Sequence, residues 1–347
     1  MSCRELPEQQ WADPASCPSH DPTGWAIWKG NRSVPCSGVG DVLAKLKGWH
    51  PLHGILVGRP GSERFVAPMS VDELREPLAR SLVRSQRVGL WSMVVFACLS
   101  IGALGLVFTR ASIVFATIVV LGVLMHTTDY LLLSGERAAN ERTLFFYSLW
   151  FGRSGRSGLV FWCVVGLGMG ITQSVLQHSL GGLEPLVIRF GAYYPAISGG
   201  EWWRIVIGPF FHSGILHFLA NLSGLILVGP MLWLAVGPWR GVLTFLLGNS
   251  AGVLAALVMN VAGHDSYLGV SAGVFALLGL LVTAGMLNPR LLPRGLAIMF
   301  AWFAAICGVG AEALPSTSTV AHLAGFATGV LAACWPFSRA IRTPMSH

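Results

Sequence analysis

Charge is what this sequence has least of. Asp, Glu, Lys and Arg make up only 11% of its 347 residues, where a soluble globular chain carries about 25%. With 53% hydrophobic residues and a mean hydropathy of +0.63, most of the chain must lie in lipid. Met1–Gln10 contains no apolar core, so no cleaved signal peptide is expected. A His-Glu-x-x-His motif of the metalloprotease kind is missing. The seven cysteines, at 3, 17, 36, 98, 163, 307 and 334, are an odd number. Four fall in apolar stretches and the other three lack zinc-like spacing, so they read as free thiols. Neither a metal nor any other cofactor is expected.

What is present is a succession of apolar stretches. A bilayer-spanning helix needs about 20 mainly apolar residues, and eight stretches qualify: 90–109, 112–133, 158–177, 214–236, 239–262, 268–287, 295–311 and 318–336. The seventh is short. The net charge of +7 does not point to nucleic acid, because the arginines gather beside these stretches. If eight helices alternate, the arginines of 75–87, 134–157, 240, 290–294 and 339–342 fall on one side. The other side receives Arg110, Arg189 and Arg204. Cytoplasmic loops favour Lys and Arg, so both termini are expected inside. His126 and Asp129, ionisable groups near the inner end of the second stretch, are expected to be satisfied by water or a neighbour.

Ahead of the membrane part, residues 1–21 are polar and Pro-rich and are expected to be disordered. Residues 24–69 look like a small α+β module, with Trp25–Lys29 as a strand and Asp41–Lys47 as a short helix. Ile55–Val57 and Arg64–Ala67 can pair across Arg-Pro-Gly-Ser. The tryptophans and the strand–helix–strand order resemble the GYF-like modules at the ends of some bacterial membrane proteins. Ser70-Val-Asp-Glu73 has the form of a capping box. Leu74, Leu78 and Leu82 then recur every fourth residue, which predicts an amphipathic helix running into the membrane. The full division is 1–21 disordered, 22–88 module and amphipathic helix, 89–133 two transmembrane helices, 134–157 a basic cytoplasmic linker, 158–337 a membrane core and 338–347 a cytoplasmic tail.

The chemistry gathers in that core. Leu268–Gly279 places Ser271 between Gly269 and Gly273. A Gly-x-Ser-x-Gly pattern also marks the α/β-hydrolase nucleophile elbow, but the flanks here are too long and apolar for a strand and its following helix. His217 and Asn221 are i,i+4 and share one helix face. The fourth, sixth and eighth stretches all enter from outside, so His217, Asn221, Ser271 and His322 occupy one layer just below that surface. Serine attacks only when an adjacent base takes its proton, and His is the usual base near neutral pH. The Asn221 amide, the Ser271 N–H and His217 are candidate donors to an oxyanion. Asp129 belongs near the opposite face, so the arrangement reads as a dyad. Phe275, one turn below Ser271, can pack against the His322 ring. Gly325 and Gly329 give the last helix a small face for close approach. His212 and His217 are i,i+5 and face different ways, which speaks against a metal site.

With these residues in place the sequence resembles the rhomboid family of intramembrane serine proteases over residues ~158–336. Gly200-Glu-Trp-Trp-Arg204 is similar to its tryptophan–arginine motif. The paired histidines and asparagine at 212, 217 and 221 match, as do Gly-x-Ser at 269–271 and His322 with its Gly-xxx-Gly. Ala272 and Phe275 stand where glycine and tyrosine are commoner. The resemblance implies a six-helix rhomboid core; with the two extra N-terminal transmembrane helices and the small N-terminal soluble α+β module read above, the expected fold is an all-α polytopic membrane protein. It implies Ser271 as nucleophile, His322 as base, Asn221 and His217 on the oxyanion, and His212 and Arg204 as structural. The expected partners are transmembrane protein substrates and the lipid bilayer, with no nucleic acid and no metal. The expected location is a bacterial cell (inner) membrane. The alternative is a catalytically inactive rhomboid-like adaptor that binds client helices; such members typically lose the serine or histidine, and both are intact here. A transporter would show inverted repeats, and none is evident.

Overall fold

The computed structural model describes residues 17–104, 110–133, 135–259, 265–288, 290–293, 295–311 and 318–335. The expected disordered segment 1–21 lies mostly outside these residues, as does the tail 338–347.

The module begins with a hairpin. β1 (Trp25–Lys29) and β2 (Arg32–Cys36) pair antiparallel with Lys29 opposite Arg32. Gly30 and Asn31 between them both have positive φ, 60° and 65°, the backbone that a tight two-residue hairpin turn requires. After α1 (Val39–Lys45), β3 (Leu56–Gly58) adds to the other edge of β1, giving the order β2-β1-β3. The expected pairing of 55–57 with 64–67 is a single bridge, Val57 to Val66, with both N–H···O bonds at 2.8 Å. The face carrying Ile27 and Val57 closes over Val42, Leu46 and Trp49.

α2 (Asp72–Leu104) covers the remaining side of that core. Its Leu74, Leu78 and Leu82 are all buried against the module, so the four-residue spacing marks a docked face. Ser70 does not cap this helix as expected. Its hydroxyl donates to Ala67 O at 2.6 Å within a 3-10 turn, and α2 starts at Asp72.

α3 (Arg110–Leu133) packs along α2. The segment 134–157, expected as a linker, is mostly α4 (Glu136–Trp150). One part of α4 sends Phe145, Phe146 and Leu149 into the membrane core beside Trp162 and Leu281. Ala139 and Tyr147 belong to the module's clusters. Arg142, counted above among loop arginines, is buried, and its Nη1 lies 2.6 Å from Asp129 Oδ1 of α3. Asp129 thus has the neighbour its depth demands. Arg75 bridges to Glu136 at 3.0 Å, and the Trp150 indole donates to Leu52 O at 3.0 Å.

The module is therefore not a bead on a string. Deleting residues 1–69 uncovers Leu74, Leu78 and Leu82, and the expected result is a lower thermal midpoint and poorer membrane expression. Because Ser271 and His322 draw no contact from the module's clusters, the protein that survives should retain reactivity at Ser271 within a few-fold in detergent. Loss of that reactivity in a folded deletion protein would show coupling between the two.

The remaining helices are α5 (Arg153–Leu180), α6 (Leu183–Phe190), α7 (Tyr194–Ser198), α8 (Arg204–Ile207), α9 (Ile215–Val236), α10 (Pro238–Met259), α11 (Ser271–Leu287), α12 (Leu296–Ala311) and α13 (Thr319–Cys334). Two short strands, β4 (Ala192–Tyr193) and β5 (Ser266–Tyr267), pair with each other. Among the described residues, four helical stretches are long and apolar enough to cross a membrane: 113–132 in α3, and α5, α9 and α10. α11, α12 and α13 are apolar but shorter, so the eight expected spans are not all of membrane length. The protein is a largely helical membrane protein.

α11 is the axis of the bundle. It is apolar all round, and such a helix is stable only when wrapped by others. α9, α10, α12 and α13 surround it, and nearly every residue from Ala272 to Gly285 is buried. α12 is held on its other side by α3, where the Trp302 indole donates to Thr128 Oγ1 at 3.1 Å.

Candidate active site

Ser271 is the first residue of α11 and His322 lies in the first turn of α13. Ser318 opens α13 by accepting the Ala321 N–H on its hydroxyl at 3.3 Å, as an N-cap should. Ser271 Oγ and His322 Nε2 are 2.8 Å apart, within the reach needed for proton transfer. The Phe275 ring stacks on His322, with centroids 4.5 Å apart and planes at 17°, and this sandwich fixes the imidazole plane. Close helix approach makes the distance possible. A Cβ on Gly325 would lie 2.8 Å from the Ala272 carbonyl carbon, and one on Gly329 would lie 2.6 Å from Leu280 N.

His217 and Asn221 arrive from α9. Gly269, two residues before Ser271, has φ +99°, and a Cβ there would meet His217 Cε1 at 2.5 Å and Asn221 Nδ2 at 3.4 Å. Only glycine allows both side chains to lie over the chain entering Ser271. The Asn221 amide donates to His217 O at 3.0 Å, which leaves its second N–H free of that bond. His217 Nδ1 lies 3.0 Å from Ser213 Oγ. The structure thus brings His217, Asn221, Ser271 and His322 together.

The supporting shell contains residues that spacing did not single out. Gln173 of α5 clamps the backbone of His212 from both sides: Nε2 donates to His212 O at 2.7 Å, and Oε1 accepts the His212 N–H at 2.8 Å. The His212 ring meets His217 edge-on at 5.4 Å. Burial, then the neighbouring His217, pushes His212 down to about 4, so it stays neutral. Phe211 O accepts the Gly269 N–H at 2.6 Å, tying this loop to the one bearing Ser271. Asn249 of α10 accepts the Gly273 N–H at 2.9 Å, one of the orphan donors of α11's first turn. Both Gln173 and Asn249 are amides in largely apolar helices, and that polarity was the available signal.

Arg204 organises the segment between α6 and α9. It is buried, pairs with Glu201 Oε2 at 2.9 Å through both Nε and Nη2, and donates from Nη1 to Gly191 O at 2.9 Å. Its guanidinium also lies over the Trp203 ring. Beside it, β4 pairs with β5, Ala192 opposite Tyr267. Tyr267 turns its hydroxyl to Ser271 Oγ at 3.3 Å.

Among the described residues no carboxylate touches His322. No group of three or more His, Cys, Asp or Glu there is placed to hold a metal ion. A hydroxyl directed at an imidazole, with amide and N–H donors alongside, suits acyl transfer.

The family model described as Rhomboid domain matches residues 199–339. The chain is similar to RHOMBOID-like protein 4 of Arabidopsis thaliana, 26% identical over 46% of this chain and 38% of the relative. It is similar to Inactive RHOMBOID-like protein 8 of the same plant, 32% identical over 46% and 42%. Rhomboid-like protease 3 of Toxoplasma gondii is 26% identical over 60% of this chain and 79% of the relative. The chain thus spans less than half the length of the two Arabidopsis relatives.

Proposed function

This chain belongs to the rhomboid family through its domain at residues 199–339, and on that premise we propose that it is an intramembrane serine endopeptidase working through Ser271 and His322. The observation that carries the reading is the 2.8 Å contact between Ser271 Oγ and His322 Nε2, made between two helices by residues 51 apart.

In the first step Ser271 Oγ attacks a peptide carbonyl carbon and its proton passes to His322 Nε2. The carbonyl π electrons move to oxygen, where the Ser271 N–H, the spare Asn221 N–H and His217 receive the oxyanion. Collapse of the tetrahedral centre breaks the C–N bond, and His322 returns the proton to the leaving amine. Water then hydrolyses the acyl-enzyme by the same route. Phe275 keeps the imidazole in plane throughout.

The substrate is a transmembrane segment cut near the outer face. A 17-residue helix such as α11 is about 25 Å long, shorter than the ~30 Å hydrocarbon core. Its first residue therefore lies below the surface when its other end reaches the opposite face. A helical substrate hides its carbonyls in i→i−4 bonds, so it must unwind locally. Segments with Gly, Pro or polar residues near that end should be preferred.

Topology follows from the arginine distribution: both termini in the cytoplasm and residues 178–211 outside. Reporter fusions after Arg153 and after Ser198 should read inside and outside respectively. An outside reading after Arg153 would place the site at the other face. One relative is named inactive, and the contrasting reading is a client-binding adaptor. Covalent labelling of membranes with a fluorophosphonate separates the two. Labelling lost in Ser271→Ala supports the protease; an unlabelled, folded wild type supports the adaptor.

A further inference from the structure

Tyr267 touches the one atom on which the proposed reaction turns. It sits on β5, is nearly fully buried, and brings its hydroxyl to 3.3 Å from Ser271 Oγ. Proton accounting settles the direction of that contact. Ser271 has a single hydroxyl proton, and in the reactive state it points at His322 Nε2, 2.8 Å away. Oγ then has only lone pairs left for Tyr267, so the phenol must donate. The three groups therefore form one directed chain: Tyr267 O–H to Ser271 O–H to His322 Nε2.

The ring is held for this task. β5 pairs with β4, with Tyr267 opposite Ala192, and Tyr194 N donates to Asp265 O at 2.7 Å. The outer segment between α6 and α9 thereby fixes the backbone from which the phenol reaches the nucleophile. Hydrogen bonds in series in a dry setting polarise one another. A donor on Oγ favours the negative charge that gathers there as the proton leaves for His322.

Resting on the Ser271–His322 reading, we propose that Tyr267 is a further catalytic residue, a hydrogen-bond donor to Ser271 Oγ that activates the nucleophile. It keeps its own proton throughout. When Oγ becomes an acyl oxygen, a weaker acceptor, the phenol is left free beside the tetrahedral centre.

The test uses full-length protein purified in detergent, with wild type, Tyr267→Phe and Ser271→Ala compared. The readouts are kcat and KM on a transmembrane peptide, the rate of fluorophosphonate labelling, and the thermal midpoint. Tyr267→Phe keeps the ring and removes the donor. Its kcat and labelling rate should fall about 10- to 100-fold, the size expected of one hydrogen bond to a charged group, with KM within twofold. Rates equal to or above wild type in a folded Tyr267→Phe protein overturn the proposal. A wild type that neither labels nor cleaves, like Ser271→Ala, overturns the protease reading and Tyr267's role with it. If Tyr267→Phe does not fold, difluorotyrosine at 267 preserves the shape with a phenol that ionises nearer neutrality. Labelling should then fail at lower pH than in wild type, and an unmoved pH profile overturns the proposal.

Discussion

Cleavage is expected to fall to background in Ser271→Ala and in His322→Ala, and the double variant is expected to be no worse than either. The two groups act as one unit: without the base the hydroxyl is a poor nucleophile, and without the hydroxyl the base has nothing to activate. In serine proteases losses of this kind reach about 10⁴–10⁶-fold in kcat, with gross non-additivity. Asn221→Ala should behave differently. It removes one candidate donor while the Ser271 N–H and His217 remain, so a slow rate, down ~10²–10³-fold, should persist. Rates come from a purified full-length protein on a transmembrane peptide, with labelling as a check that does not need substrate docking. Wild-type cleavage by Ser271→Ala would end the serine reading.

Gly325→Val should be nearly as damaging, although this residue carries no chemistry. Gly325 is three residues after His322, and its α-carbon lies against the carbonyl of Ala272, the residue after Ser271. A branched side chain pushes α13 away from α11, and the 2.8 Å contact opens. Misplacement by about 1 Å can cost ~10²-fold in rate. The expected result is at least that loss in labelling, together with a lower thermal midpoint. Gly325→Ala should fall between the two. Wild-type labelling of Gly325→Val would mean that helix approach does not set the Ser271–His322 distance.

The site was legible where its parts repeat at helical spacing or share a depth. His217 and Asn221 follow from i,i+4, and Phe275 from one turn below Ser271. His322 follows from the level at which its helix enters. Tyr267 was not legible, because its tie to Ser271 depends on a two-residue strand pairing with Ala192, which local periodicity does not encode. Gln173 reaches His212 across 39 positions, and Asn249 reaches Gly273 across 24; their polarity was visible but not their targets. In the fold, β1 showed its alternation while β2 did not, since Arg-Ser-Val-Pro-Cys is polar and holds a proline. The Gly30–Asn31 turn was the missed cue. α4 was hidden by its arginines. Counting charge makes 134–157 a loop, yet Arg142 is buried and pairs with the half-buried Asp129.

The grip of α3 on α12 bears on how the chain divides. Trp302 bonds Thr128 near one end of the pair, and a Cβ on Gly310 would meet Ile118 Cδ1 at 3.6 Å near the other. The two helices therefore line each other over some two turns. A fragment beginning at Arg153 would hold every motif of the domain but leave α12 with one flank bare. The stretch shared with relatives and the smallest stretch that packs as one body are thus different lengths of this chain. A cut between α4 and α5 should leave two pieces that stay together in mild detergent, with α3 still seated on the far half.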